Sequence, residues 1–386
     1  MAGYEQCLAI QDTTLLDYSH HPSKAGMGPR PGGTRTTQQT LQGMVMHSVL
    51  ATTVEGLPLG VLSQQIWTRA ATPHQLTPTL RRKLPIEAKE SHKWLVALRA
   101  SVAQKPATMQ LITVGEAEAD IFERFDYARQ LKTDLLLRAG QDRSVGEPEV
   151  GHLWSVLEKQ PISGHLAVHV TKRQPQPARD TTVSVRYLSL RLNAPQHLRA
   201  SMRPIALYAI LVQEVDPAGD VDPLCWLLLT TGPVCAFDNA VERIGWYCRR
   251  WQIEILHKIL KSGCHIEQAQ LASNQRLMPM IALFSIIAWR LFWITFLART
   301  DPTAPASTIL AHHELDALYT FLHKQPIPDS LCPTVHQATR WIAQLGGFLK
   351  RKRDGEPGVT VIWRGWQRLT DISAAYLAFH PPPTCG

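Results

Sequence analysis

Four side chains with the chemistry of a phosphate and metal site lie in one stretch of the C-terminal half. Tyr247, Arg250, Glu254 and Lys261 stand at offsets of zero, three, seven and fourteen in the segment WYCRRWQIEILHKILKSGC. At about 100° per residue, these offsets fall within an arc of about 60°, which predicts one stripe on one helix. The carboxylate suits a divalent cation, and the two cations and the phenol suit phosphate oxygens. Polar stripes are common on solvated helices, but the apolar neighbours here indicate a packed helix.

The spacing Tyr-x2-Arg-x3-Glu-x6-Lys resembles the signature of the insertion-sequence-four family of bacterial transposases, transposon-five type. The likeness continues in chain order through the blocks CLAIQDTT, MHSVL, KESHKWL, PLCWLLLT and WIAQLGGFLKRKRDGEPGVTVIWRGWQRLTDI. The resemblance implies an α/β fold, with a ribonuclease-H-like catalytic core, an inserted antiparallel β region and a helical C-terminal tail. It also implies a cytoplasmic, nucleoid-associated enzyme that acts as a homodimer on double-stranded DNA at transposon ends.

The resemblance further implies two-metal phosphoryl transfer, in which three carboxylates hold two Mg²⁺ ions about 3.5–4 Å apart. Asp12 in IQDTT matches the first carboxylate, and Glu254 in the signature matches the third. The family pattern Gly-Asp-Arg-Glu-Ala-Asp-Ile here reads Gly-Glu-Ala-Glu-Ala-Asp-Ile, which places Glu116 at the second position. Asp12, Glu116 and Glu254 are therefore the implied metal ligands, with Mn²⁺ as an alternative ion.

Glu116 is a departure from the family pattern. Glutamate keeps the charge of aspartate but adds one methylene, and a misplacement of about 1 Å can cost about 100-fold in rate. Mg²⁺ also demands near-ideal octahedral geometry. The sequence therefore predicts weakened metal binding and little or no cleavage. Glu118 or Asp120 would substitute only if the end of the strand shifted its register.

The DNA contacts are also implied by the resemblance. Tyr247, Arg250 and Lys261 are assigned to a backbone phosphate, the arginine as a fork and the lysine as a point charge. Trp226 in LCWLLLT matches a position that stacks a flipped base, and core packing is the alternative for a tryptophan among leucines. The intact 21-residue spacing from Trp226 to Tyr247 favours stacking. For Trp251, both roles stay open, with core packing ahead.

Composition restricts the class of protein. With 386 residues, 45% of them hydrophobic and 19% charged, the chain is predicted to be a soluble globular protein with a substantial core. A formal net charge of +8 favours a polyanionic partner, and basic clusters lie at 81–83, 249–250 and 350–353. Seven scattered cysteines lack zinc-type spacing and are predicted to be reduced thiols.

One apolar run, 277–297, is long enough to cross a membrane. An arginine inside the run would carry a substantial insertion cost, and no second span follows it. We therefore predict a buried core helix and no membrane partner.

Hydrophobic periodicity predicts the elements that position the candidate residues. Strands are predicted at 8–14, 45–51, 59–68, 109–114 and 134–138, and helices at 86–103 and 119–131. His47 falls on the second strand, near the site, as an internally bonded or substrate-facing histidine.

Alternating apolar stretches between 150 and 231 predict several antiparallel strands, and the pattern is helical after residue 246. The resulting division has four parts: core at 1–149, β-rich insertion at 150–235, core with the signature helix at 236–300, and a helical dimerisation region at 301–386.

The resemblance leaves two functions open. Family members carry a helical end-binding domain before the first catalytic strand, whereas only eleven residues precede Asp12 here. The chain is thus expected to be either a transposase core impaired at Glu116, or an inactive remnant that binds DNA, dimerises and inhibits a full-length transposase.

Overall fold

The computed structural model describes residues 3–29, 41–70, 77, 80, 84–146, 150–170, 178–217, 219, 222–351 and 355–380. The predicted basic cluster at 81–83 and half of that at 350–353 lie outside the described residues.

The described strands form one mixed, mostly antiparallel sheet of twelve strands. They are β1 Gln6–Asp17, β2 Gly28–Pro29, β3 Gln42–Thr52, β4 Pro58–Trp67, β5 Gln110–Gly115, β6 Asp134–Arg138, β7 Ser144–Val145, β8 Gly151–His152, β9 Gly164–Val170, β10 Arg179–Leu192, β11 Ile205–Glu214 and β12 Cys225–Thr230. The order is β2-β3-β1-β5-β6-β12-β11-β10-β7-β8, with β4 paired to β3 and β9 paired to β10.

Five strands from the first half make the part of the sheet that positions Asp12 and Glu116. β4, β3 and β1 are antiparallel neighbours, whereas β1, β5 and β6 run parallel. Parallel strands bring their carboxyl ends to one edge of a sheet, so the residues that follow β5 lie beside the later residues of β1. All five strands predicted in this region are present, and β1 is longer than predicted at both ends.

The strands predicted between 150 and 231 are present and antiparallel, from β9 to β12. They are not a second sheet, because β12 pairs with β6 through Leu228↔Arg138 and Thr230↔Leu136. The region therefore extends the central sheet, and its one described helix, Leu153–Glu158, was not predicted from the alternating pattern.

Nine α-helices are described: α1 His92–Gln104, α2 Phe122–Leu131, α3 Leu153–Glu158, α4 Phe237–Cys248, α5 Gln252–Lys258, α6 Asn274–Thr300, α7 His312–His323, α8 Val335–Leu345 and α9 Val359–Phe379. The predictions at 86–103 and 119–131 start too early, because Ile86–Ala88 and Ala117–Ala119 form separate 3₁₀ turns.

Helices cover both faces of the sheet, and the strand residues alternate between the two cores. Leu136 and Leu228 face the helices of the C-terminal half. Leu135, Leu137 and Leu227 face α1, α2 and α3 on the opposite side. Central strands buried on both faces explain the continuous leucine runs that the sequence shows there.

The signature stretch is helical throughout but changes its helix type three times. α4 passes into a 3₁₀ turn at Arg249–Trp251, then into α5, and then into a π-helix at Ile259–Gly263. A π-turn widens the helix, so Lys261 does not keep the angular position that regular α-geometry predicts for it.

α6 is a core helix on one face only. Its 27 residues include Leu277 and Ile281 in the core, whereas Leu283 and Ile286 are 64% and 61% exposed. The predicted buried core helix is therefore buried on one face, and the prediction is wrong for the face that carries Leu283 and Ile286. In the described residues, α6 is the one helix whose length and composition would allow it to cross a membrane.

α8 and α9 pack in backbone contact through two glycines. A Cβ added at Gly365 would overlap the carbonyl group of Ile342, and one added at Gly346 would overlap that of Val361. The two helices can approach this closely only because neither position carries a side chain.

The N-terminal strand is fastened to a segment far along the chain. The backbone N–H of Asp17 donates to Oε1 of Glu267 at 2.7 Å. The Nζ of Lys24 donates to the carbonyl oxygens of Ala269 and Leu271 at 2.6 and 2.7 Å. These contacts lie beside the end of the signature stretch.

Candidate active site

Asp12 lies in the middle of β1, on the sheet face that α5 covers. Its Oδ1 accepts a hydrogen bond from the backbone N–H of Thr13 at 2.7 Å. Burial is the main cause that raises the pKa of Asp12 to about 6; the charges of Glu254 and Glu116 contribute to the rise, and the Thr13 hydrogen bond and Arg250 oppose it. The carboxylates are therefore close enough to repel one another.

Glu116 follows the last residue of β5 and opens a 3₁₀ turn. Its Oε2 accepts from the backbone N–H of Ala117 at 3.3 Å, and Nη1 of Arg138 lies 3.9 Å from the same oxygen. Gly115 allows this tight turn, because a Cβ there would stand only 2.8 Å from the Cβ of Ala119. The strand end thus presents Glu116 towards the site.

Arg250 joins the second and third acids. Its Nε lies 2.8 Å from Oε1 of Glu116, and its Nη1 lies 2.8 Å from Oε1 of Glu254. The guanidinium is only 5% exposed, whereas both carboxylates keep some contact with solvent. Glu254 and Arg250 are one turn apart on the signature stretch, which gives the pair its (i, i+4) geometry.

The donor chemistry of the three carboxylates fits a hard divalent cation, since oxygen ligands are the ones that Mg²⁺ prefers. Their mutual repulsion at Asp12 is also of the kind that a cation relieves. In the part of the chain that the structure describes, no three Asp, Glu, His or Cys side chains converge closely enough to hold a metal ion. Glu116 and Glu254 have Arg250 between them instead.

Tyr247 and Trp226 lie beside Arg250. The two rings meet edge to face at 5.2 Å, and the guanidinium lies 6.0 Å from the centre of the Tyr247 ring. Tyr247 is buried, and burial raises the pKa of its phenol. Trp226 is half-buried at its strand position, so part of its surface faces solvent.

Trp251 does not pack in the core, in contrast to the role that the sequence favoured for it. Its side chain is exposed, and the guanidinium of Arg250 lies 5.1 Å from the ring centre. The 3₁₀ turn at Arg249–Trp251 rotates the residue away from the buried face of the helix. Core packing is therefore wrong for Trp251.

Lys261 contacts the backbone of β1. Its Nζ donates to the carbonyl oxygen of Leu15 at 2.6 Å, near the end of β1. The lysine thus contacts a strand backbone in this structure, rather than joining Arg250 and Tyr247.

Glu118 and Asp120 are engaged elsewhere. Glu118 is exposed and pairs with the Nζ of Lys93 at 2.8 Å. Asp120 is buried, and its Oδ1 lies 3.0 Å from Nη2 of Arg143. Its Oδ2 accepts hydrogen bonds from the backbone N–H groups of Gly140 and Gln141. Since these contacts hold the loop after β6, Asp120 cannot replace Glu116 without disrupting that loop.

The sequence did not point to His257 or Arg138. His257 is buried with Nδ1 at 3.9 Å from Oδ2 of Asp12, and burial and the charge of Lys261 lower its pKa to about 3. It is therefore neutral at physiological pH. Its position three residues after Glu254 was the available signal, because residues three apart share a helix face.

The opposite face of β1 carries a buried polar cluster beneath the site. Nη2 of Arg124 donates to Oε1 of Gln11 at 2.9 Å, and its guanidinium lies 5.1 Å from the Trp94 ring. Nδ1 of His47 lies 2.9 Å from Oγ1 of Thr13. His47 is fully buried, so it is the internally bonded histidine and does not face substrate.

The C-terminal helices resemble a known module. Residues 286–377, which run from within α6 almost to the end of α9, match the family described as the Transposase Tn5 dimerisation domain. The matched part is about a quarter of the chain. The match supports a Tn5-type transposase and the formation of homodimers.

Proposed function

We propose that this chain is a transposase core that cleaves double-stranded DNA at transposon ends and transfers the strands, with Mg²⁺ or Mn²⁺ as cofactor. The observation that carries the proposal is that three distant parts of the sequence bring Asp12, Glu116 and Glu254 into one neighbourhood: Arg250 pairs with both glutamates, and the charges of the arginine and both glutamates act on Asp12. The strand order β4-β3-β1-β5-β6 supports a ribonuclease-H-like core, as does the parallel direction of its last three strands. The insertion-sequence-four assignment belongs to the same proposal.

Asp12, Glu116 and Glu254 would hold the metal ions in this function. The ions would supply activation of the attacking oxygen and stabilisation of the leaving oxygen. Arg250 would bind a backbone phosphate with its forked donors, and the Tyr247 hydroxyl would add a hydrogen bond. Lys261 would join them only after leaving the carbonyl oxygen of Leu15.

Trp226 would stack a base displaced next to the cut. Its half-buried ring, already held edge to face by Tyr247, is fixed at low entropic cost beside the proposed phosphate site. The divisions at 149/150, 235/236 and 300/301 remain part of the proposal, as does the placement of the enzyme on the bacterial nucleoid.

The test is nicking of supercoiled plasmid in Mg²⁺ and in Mn²⁺. The native chain is compared with Glu116→Asp, and Glu254→Ala serves as the blank. We expect Glu116→Asp to nick at least about 100-fold faster than the native chain, which should nick little above the blank. Equal rates for native chain and Glu116→Asp would refute the impairment. If Glu254→Ala cuts as fast as the other two, the assigned acids are wrong.

A second function is favoured by the pairing of Arg250 with Glu116 and Glu254, which neutralises two acids internally. In this alternative the chain is an inactive remnant that binds DNA and forms mixed dimers with a full-length transposase. Co-expression with an active relative separates the two functions. Suppressed transposition supports the inhibitor, and unchanged transposition with the native chain present as a soluble protein contradicts it.

A further inference from the structure

Arg250 forms ion pairs with two of the three candidate acids. Two different nitrogens of one guanidinium reach one oxygen on Glu116 and one on Glu254, each at 2.8 Å. The guanidinium is buried and also contacts the rings of Tyr247 and Trp251. The carboxylates thus contact the nitrogens of the guanidinium, and the two aromatic rings lie near its carbon atom.

We propose that Arg250 is an internal counter-ion, which occupies the carboxylates of Glu116 and Glu254 and competes with divalent cations for them. The inference rests on the proposed function and concerns the regulation of the same site. A divalent cation needs carboxylate oxygens of both residues free of other strong donors. Arg250 donates a charge-assisted hydrogen bond to Glu254 and forms an ion pair with Glu116, and both contacts must be given up before a cation binds the two carboxylates.

The length of Glu116 is what makes this contact possible. Removing one methylene withdraws a carboxylate by about 1.5 Å, the length of one C–C bond. From 2.8 Å, such a withdrawal would break the ion-pair contact with Nε of Arg250 unless the helix moved. A glutamate at 116 therefore closes the site with the arginine, and an aspartate would leave the arginine paired with Glu254 alone.

A phosphate group is the chemistry that would open this closed state. It offers the guanidinium two oxygens for a forked pair of hydrogen bonds, in place of single contacts with two separate carboxylates. Recruitment of Arg250 by DNA would then free both acids, so DNA and the divalent cation would favour each other's binding. Such coupling is reciprocal by thermodynamic necessity.

The competition is tested by Mn²⁺ binding to the full chain without DNA, measured by electron paramagnetic resonance of the free ion. The variants are Arg250→Gln, and Arg249→Gln as an exposed neighbour on the same turn. Arg250→Lys keeps one positive charge but cannot fork between two acids. We expect Arg250→Gln to bind Mn²⁺ about tenfold tighter than the native chain. Arg250→Lys should fall between the two, and Arg249→Gln should match the native chain. Circular dichroism shows which variants are folded, and the lysine variant serves as the test if the glutamine variant is not.

Two results would overturn the inference, and they differ in what they say of the proposed function. If the native chain binds Mn²⁺ as tightly as both Arg250 variants do, there is no competition, but the metal site stands. If no folded variant binds Mn²⁺, the competition and the metal site are both wrong. DNA binding is then judged separately, from fluorescence anisotropy of a labelled duplex with the native chain.

Discussion

The crossing of α8 and α9 makes Gly365→Ala the sharpest test of the C-terminal region. A Cβ at position 365 would lie 2.7 Å from the carbonyl carbon of Ile342 and 3.1 Å from the backbone nitrogen of Gly346. Ordinary contact begins at 3.4 Å, so the carbon is about 0.7 Å too close. Both contacted atoms belong to backbone, which cannot turn aside as a side chain could. The helices must therefore separate along the crossing.

The cost follows from two opposing terms. Overpacking costs about 1–3 kcal/mol, and contact with backbone belongs at the upper end of that range. Alanine in place of glycine gains at most about 1 kcal/mol in helix propensity. We expect Gly365→Ala to lower the free energy of unfolding by about 2 kcal/mol, and to weaken the homodimer that the Tn5-type dimerisation module supports.

The assay is urea unfolding followed by tryptophan fluorescence, together with light scattering for the mass of the assembly. Gly245→Ala is the matched control, because Gly245 lies within α4 with nothing within 4 Å of an added Cβ. That control should stabilise the chain by up to about 1 kcal/mol. The reasoning fails if Gly365→Ala is as stable as Gly245→Ala and keeps the same mass.

Three further predictions concern other buried groups. Asp120→Asn should lower the free energy of unfolding in urea by about 3–5 kcal/mol, because it leaves the buried charge of Arg143 without its carboxylate. Glu118→Gln removes an exposed carboxylate and should lower it by less than about 1 kcal/mol. Equal losses in the two variants would contradict this reasoning. Nη2 of Arg179 donates to Oε2 of Glu214 at 2.7 Å, and this hydrogen bond lowers the pKa of Glu214 to about 2. The stabilisation from this pair is therefore complete above pH 4.5 and is lost as the pH falls towards 2. The difference in unfolding free energy between native chain and Glu214→Gln should shrink over that range, and a constant difference would refute the assignment. Burial raises the pKa of Cys264 to about 11, so iodoacetamide at pH 8 should modify the exposed Cys235 first. Peptide mass spectrometry measures both rates of modification, and equal rates would place Cys264 at the surface.

The sequence was sufficient for features that depend on local pattern. The strands bearing Asp12 and preceding Glu116 are short apolar runs with polar residues at or after them, and such runs predict strands by periodicity alone. The signature helix was predictable because its apolar positions recur at helical spacing. Even the antiparallel strands beyond residue 150 showed alternation. Each of these signals lies within a window of about ten residues.

Features that depend on pairing across the chain could not be predicted. The pairing of β12 with β6 depends on backbone hydrogen bonds between residues about ninety positions apart, and no local sequence pattern encodes this pairing. The ion pair of Arg250 with Glu116 depends on side-chain rotamers across a still larger gap in the sequence. The π-turn at Ile259–Gly263, which sends Lys261 to the backbone of Leu15, occurs within a sequence that reads as ordinary helix.

The hydrogen bonds between the N-terminal segment and residues 267–271 determine how early the candidate site can form during synthesis. Asp12 cannot meet Glu254, and β1 cannot bond to Glu267, until the ribosome has added about 250 more residues. At about 5–20 residues per second, that delay is on the order of ten to fifty seconds. Closing so large a loop is also entropically slow. A nascent chain therefore carries β1 without Glu254 and Glu267, and the candidate site cannot be complete before synthesis is well advanced.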